Sequence, residues 1–308
     1  MKHVGLHTQI SRNNTKSILL LLAFPLLILG GVYAFFFFAD APNYYQVNRN
    51  FVYNVPFIAI GVGLWFLIAF SSHSKLIKMA TKAKPLSRKE NMRIYNLTEN
   101  LCISVGIKMP QLFVIDSPAL NAFASGINEK TYAVTLTSGI IEELDDKELE
   151  GVIAHELSHI RNKDVRLLII SIIFVGIFAF LVQVLFRSVL YGSGRRRNSK
   201  VDGKAILIAL AIAVVVYILS IMFKFALSRK REFMADAGAV EMTKDPTAMA
   251  SALRKISGNH DLATRSGDIK QLFIENSGPK KKGFLSSLSG LFATHPPIEK
   301  RIAFLEQM

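Results

Sequence analysis

Two histidines and a glutamate stand in His155-Glu156-Leu157-Ser158-His159, a spacing that suits metal-assisted hydrolysis. Residues four apart on a helix lie one turn above another on the same face, so both imidazoles reach one ion. Glu156 lies beside them, where its carboxylate can accept a proton from an activated water. Taken alone, the pair also suits two surface histidines on an amphipathic helix, because Glu142-Glu143-Leu144-Asp145-Asp146 just upstream is a solvated stretch.

The third ligand separates these readings. A metzincin pattern would need histidine at 165 and glycine at 162, but the residues there are Val165 and Asn162. The first glutamate after His159 is Glu232, and the acids between them are Asp164 and Asp202. Glu232-Phe233-Met234-Ala235-Asp236 is expected to be helical, since Ala and Met favour helix and no breaker comes before Gly238. Glu232 and Asp236 then share one face of a second helix. Glu232 is the expected third ligand, and Asp236 the acceptor of the other ring N–H of a ligand histidine. Beside Arg229, Lys230 and Arg231, the same acids without the first motif would read as a charged helix surface. Two imidazoles and one carboxylate suit Zn2+, one ion per chain, with a fourth tetrahedral position open. Such ligands select weakly enough to accept cobalt or manganese in vitro.

The elements that must position these residues are legible in outline. Leu86–Val105 has helical apolar spacing (Met92, Tyr95, Leu97, Leu101), and Gly106 is the expected stop. Gln111–Ile115, Leu120–Ala124 and Thr131–Thr137 are expected to be extended, with a turn at Asp116-Ser117-Pro118. Asp145 or Asp146 is suited to cap a helix that carries Leu149, Val152 and Ile153 on to Ile160. This mixture predicts an α+β domain.

Around that domain lie four apolar runs. Ser17–Ala39 carries no charge and is long enough to cross hydrocarbon as a helix, which takes about 20 residues. Ala39-Asp40-Ala41 imitates a signal-peptidase site, but the run exceeds a signal h-region and Pro42 follows directly, so a retained anchor is expected. Phe51–Phe70, Val165–Phe186 and Ala205–Phe223 are the other runs, and Arg166 sits where a side chain can snorkel. Lys2, Arg12 and Lys16 precede the first run, while Lys75, Lys78, Lys82, Lys84, Arg88 and Lys89 follow the second. Positive residues stay inside, so these flanks are expected in the cytoplasm.

Membrane topology thus accounts for much of the net charge of +14, and no aromatic-interleaved basic motif points to nucleic acid. The single cysteine, Cys102, permits neither an intramolecular disulfide nor a thiolate metal cluster. The loop between the last two runs conflicts with the charge rule, since it holds Arg187, Arg195, Arg196, Arg197, Lys200 and Lys204 against Asp202. His155 and Glu232 must lie on one side of the membrane, so those runs cross twice or not at all. Two crossings are expected, because late loops obey the rule less strictly than the first helix. The other option is a hairpin that does not cross.

The sequence resembles the HtpX-type membrane metalloproteases, which are related to the CAAX prenyl endopeptidases. The resemblance rests on Asp116-Ser117-Pro118 with Asn121-Ala122-Phe123-Ala124, on HELSHIRNKD (155–164), on SRKREFMAD (228–236) and on THPPIEKRI (294–302). It spans nearly the whole chain, and the prenyl endopeptidases carry more spans than four. It implies His155, His159 and Glu232 as ligands, Glu156 as base, and Asn121 and His295 near substrate. His295 would suit an oxyanion donor, worth about 3 kcal/mol of barrier, or equally the approach to a helix starting at Pro296-Pro297. Asn121 suits strand addition by substrate, or an ordinary turn after Pro118.

The resemblance also implies cytoplasmic proteolysis of membrane proteins in quality control under stress. The expected protein is therefore a mainly α, multi-pass inner-membrane protein with four transmembrane helices and a zincin-like α+β protease domain facing the cytoplasm. Residues 1–75 would form the anchor, 76–164 with 224–308 the protease domain, and 165–223 an inserted helical pair. Its partners would be polypeptide substrates and the lipid bilayer, and an oligomer is compatible. A silent scaffold with a degenerate site is the alternative, and it must explain why each catalytic position is intact. A lipid-buried protease site is disfavoured by Asp145, Asp146, Lys147, Glu148 and Glu150, each costing about 2.5–3.5 kcal/mol at the bilayer centre. Gly278–Phe292 would lie on the membrane surface or form a loop with a short amphipathic helix.

Overall fold

The computed structural model describes residues 6–39, 43–192, 203–226, 229–257 and 297–308. His295, Asp202 and the stretch 278–292 fall outside them. The chain divides into two compact units.

One unit holds Thr15–Ser71 and Ile170–Lys224. Its helices are α1 (Leu6–Ala39), α2 (Tyr44–Thr81), α6 (Asp164–Gly192) and α7 (Gly203–Ala226). Among the described residues, three helical stretches are long and apolar enough to cross a membrane: Tyr44–Thr81, Asp164–Arg187 and Lys204–Ile221. Within α1 the apolar helical stretch among the described residues is Leu22–Phe38. Ile60, Leu64, Leu67 and Ile68 are exposed on α2, and Leu207, Val215 and Ile218 on α7. A helix with large apolar side chains turned outward on this scale is solvated by lipid. Phe24 stacks on Phe174 with centroids 4.5 Å apart, and Phe66 on the same ring at 5.1 Å. Pro25 and Pro56 lie inside α1 and α2, as spanning helices tolerate.

The other unit includes Ser72–Ile169 and Phe225–Met308. Its sheet has the order β1-β2-β4-β3, with β1 Lys84–Pro85, β2 Gln111–Ile115, β3 Ala122–Ser125 and β4 Ala133–Thr137. β2 and β4 pair in parallel, while β1 and β3 pair antiparallel to β2 and β4 respectively. The helix α3 covers Met92–Val105, not Leu86–Val105 as expected. Leu86 donates its N–H to the Leu112 carbonyl and continues the sheet, and the Asn91 side chain caps the helix through the Ile94 N–H. Gly106 does end it, at φ 66, a conformation in which glycine avoids a Cβ clash. A short helix, α4 (Ser138–Glu143), follows β4 and was not anticipated.

The central helix α5 spans Asp146–Arg161. Asp145 caps it, accepting from the Lys147 and Glu148 N–H groups, while Glu148 accepts the Asp145 N–H in return. Such a cap contributes about 1 kcal/mol. Glu148 also accepts hydrogen bonds from Ser251 and Lys255 at 2.7 Å, tying this end to α9 (Pro246–Ile256). From Val152 to Ser158 every residue of α5 is buried, so α5 is the axis of the unit. It packs against α8 (Arg229–Thr243) and α9, and α10 (Ile298–Leu305) lies on α8 and α9. The α5–α8 approach depends on Gly238, where an added Cβ would lie 2.5 Å from Ser158 Oγ. Gly238 therefore sits inside α8 as the contact that lets two helices close.

Candidate metal centre

His155 and His159 lie on buried α5, and Glu232 lies in the first turn of α8. The two Nε2 atoms are 3.2 Å apart. Glu232 Oε2 is 3.6 Å from His155 Nε2, and Oε1 is 3.6 Å from His159 Nε2. Tetrahedral bonds of about 2.0–2.1 Å put neighbouring ligand atoms about 3.3 Å apart, close to these distances. The three residues form a group whose ligand atoms lie within 4.8 Å of one another and fit a metal ion.

The opposite ring nitrogens explain the orientation. His155 Nδ1 is 2.9 Å from Asp236 Oδ1, and His159 Nδ1 is 3.2 Å from Asp164 Oδ2. An ionised carboxylate only accepts, so each Nδ1 carries the proton and each Nε2 lone pair is turned inward. Asp236 is fully buried and is held from the other side by Arg301, whose Nε donates to Oδ2 at 2.9 Å and Nη2 to Oδ1 at 2.6 Å. Asp164 has a looser counterpart: Arg231 Nη1 donates to its carbonyl at 3.3 Å and lies 4.0 Å from Oδ1.

Charge accounting points the same way. Glu156, Asp164, Glu232 and Asp236 are all buried, and the buried guanidiniums beside them are Arg231 and Arg301. Four carboxylates against two guanidiniums leave two negative charges, which a divalent cation offsets. Burial and Arg301 push the His155 pKa down, but the hydrogen bonds to Asp236 and Glu232 outweigh them and raise it to about 9. The field that would hold a proton on this ring also favours a cation, and metal binding must displace that proton. Burial raises the Asp236 carboxyl, yet Arg301 and His155 hold it below its usual value.

Asn121 lies at the start of β3, at the edge of the sheet, and is 1% exposed. Its Oδ1 accepts the Ala122 N–H, and its backbone is laced to Thr137 in both directions. His295 lies outside the described residues. Sequence reasoning missed Asp164, Arg231 and Arg301 as partners of the site. Each nevertheless falls within a motif already singled out: HELSHIRNKD ends on Asp164, SRKREFMAD contains Arg231, and THPPIEKRI contains Arg301.

The model of peptidase family M48 matches residues 88–308. A protease HtpX homolog of Bacteroides fragilis is 56% identical over 321 aligned positions, 100% of both chains. One from Dictyoglomus thermophilum is 41% identical over 78% of this chain and 77% of its own. Among solved structures, S. mikatae Ste24p shares the fold with a TM-score of 0.50 at 18% identity, over 96% of this chain and 66% of that one.

Apolar helices, a converging His-His-Glu group and these relatives together define a membrane metalloprotease. The chain belongs to peptidase family M48. Its likeness to the HtpX-type proteins extends over its whole length.

Proposed function

We propose that this protein is a zinc-dependent endopeptidase, held in the inner membrane by four passes, which cleaves membrane or misfolded proteins on the cytoplasmic side. The observation that carries this reading is the convergence of His155, His159 and Glu232 beside Glu156 at the α5–α8 contact. Zinc suits two imidazoles and a carboxylate better than hard, all-oxygen cations such as calcium do. His155, His159 and Glu232 would hold the ion, which when bound would supply Lewis-acid polarisation of the scissile carbonyl and a more acidic water.

The chain's own residues do the rest. Asp236 and Asp164 keep the Nδ1 protons in place, so that both Nε2 atoms remain ligands. Glu156 takes a proton from the attacking water and passes it to the leaving amine nitrogen. Substrate is proposed to lie along β3, extended, with main-chain pairing near Asn121 and His295 donating to the developing oxyanion. Because Asn121 Oδ1 is engaged with Ala122, its contribution is to shape the end of β3. A role in membrane-protein quality control, and self-association, belong to this proposal too. A silent scaffold is less well supported, since Glu156 and the three candidate ligands are all in place.

Removal and return of the ion test the reading directly. The purified protein in detergent is expected to hold one zinc per chain and to hydrolyse casein. Dialysis against a zinc chelator should abolish hydrolysis, and one equivalent of Zn2+ should restore it. Casein hydrolysis that survives complete removal of metal would contradict the proposal.

The topology is tested separately. We propose that 165–223 crosses the membrane twice, which places the basic loop outside. A cysteine at Ser199, in a Cys102→Ser background, should react with an impermeant thiol reagent in intact cells. Reaction only after permeabilisation would instead establish a hairpin that does not cross.

A further inference from the structure

We propose that Arg301 is a positioning residue for the metal centre: one guanidinium on the C-terminal helix grips Asp236 and faces Glu232, two acids of α8, and thereby orients His155 and Glu232. The proposal rests on the metal-site reading above and extends it to a residue from the far end of the chain.

The geometry is specific. Arg301 is 0% exposed although it lies on α10, four residues after Pro297. Its Nε and Nη2 form a two-pronged pair with Asp236. Its Nη1 lies 3.8 Å from Glu232 Oε2, so one planar group spans two acids one turn apart on α8. Nη1 is buried and has no hydrogen-bond partner among the described residues, and it faces that carboxylate. Nη2 also stands 3.4 Å from both ring nitrogens of His155, and so points squarely at neither.

Burying a guanidinium completely is costly unless its charge and its donors are met. Plain docking of α10 would not need it, because Ile298 and Leu305 already supply buried apolar contacts. What the fork adds is direction. Asp236 held on two oxygens keeps a fixed plane, so the N–H of His155 has one place to point and Nε2 one direction to face. A lysine offers a point charge and cannot grip both oxygens in that plane.

Full-length protein in detergent tests this with two readouts besides activity. These are the Zn2+ dissociation constant, from competition with a chromophoric chelator, and the visible spectrum of the Co2+-substituted protein. Wild type must bind both ions; if it binds neither, the metal-site reading itself fails, and this proposal with it. Arg301→Gln is expected to weaken Zn2+ roughly 10–100-fold and to change the Co2+ spectrum. Asp236→Asn should do the same, and the double variant should be weaker than the worse single by no more than about twofold, since both act through one contact.

Leu305→Ala serves as the packing control on the same helix. It should lower Tm and leave affinity and spectrum unchanged. If Arg301→Gln does not fold, Arg301→Lys replaces it, with a loss of about tenfold expected. Affinity within about twofold of wild type with an unchanged spectrum in the Arg301 variant would overturn the proposal. So would an equal affinity loss in Leu305→Ala, or fully additive losses in the double variant.

Discussion

Glu156→Gln is expected to retain one metal ion per chain and to hydrolyse peptide bonds at least about a hundredfold more slowly. The side chain is 3% exposed and follows His155 directly on α5, but it is not one of the three converging ligand groups. An amide of the same size keeps the packing of α5 and cannot accept a proton from water. The measurement is metal content by emission spectroscopy together with initial rates on casein. Wild-type rates in a fully metal-loaded variant would remove Glu156 from the role of general base. Loss of metal as well would show that the Glu156 charge contributes to binding in addition to proton transfer.

Glu232→Ala should lose metal more severely than either variant of the supporting acids. Asp236→Asn and Asp164→Asn are expected to cost roughly 10–100-fold in affinity, because they release an imidazole and leave the ligand set intact. Glu232→Ala removes a ligand outright. Neither aspartate can take its place, since each faces Nδ1 and the ion would face Nε2 on the other side of the ring. The same chelator competition ranks the three variants. Zinc retention in Glu232→Ala equal to that of wild type would mean that the third ligand lies elsewhere.

What could be read in advance follows the range over which sequence acts. The His155–His159 pair and the Glu232–Asp236 pair are one-turn relations, and a helix makes such neighbours whatever surrounds it. The cap at Asp145 and the stop at Gly106 are equally local, depending on side-chain oxygens and on a missing Cβ. Leu86 departs from its local pattern. Its apolar character extends the helical pattern, but the partner that claims it is Leu112, far along the chain. Periodicity counts apolar residues without knowing which neighbour will bury them.

Asp164 and Arg301 failed for different reasons. Asp164 follows the end of α5, and Lys163 at φ 59 turns the chain so that its carboxylate meets His159. A positive φ at lysine is uncommon, and nothing in the residue type announces it. Arg301 is 146 residues from His155, on a short helix whose docking no local pattern specifies.

By itself, then, the sequence determined which side chains could bind metal, the elements that carry them and the apolar runs that meet lipid, because spacing and hydropathy are properties of neighbours along the chain. Only the tertiary structure decided that Glu232 meets both histidines, that Gly238 meets Ser158 where α8 packs on α5, and that Asp164 pairs with His159 and Arg301 with Asp236. Those facts depend on helices packing at ångström precision, and a buried charge finds its partner only once the chain has closed around it.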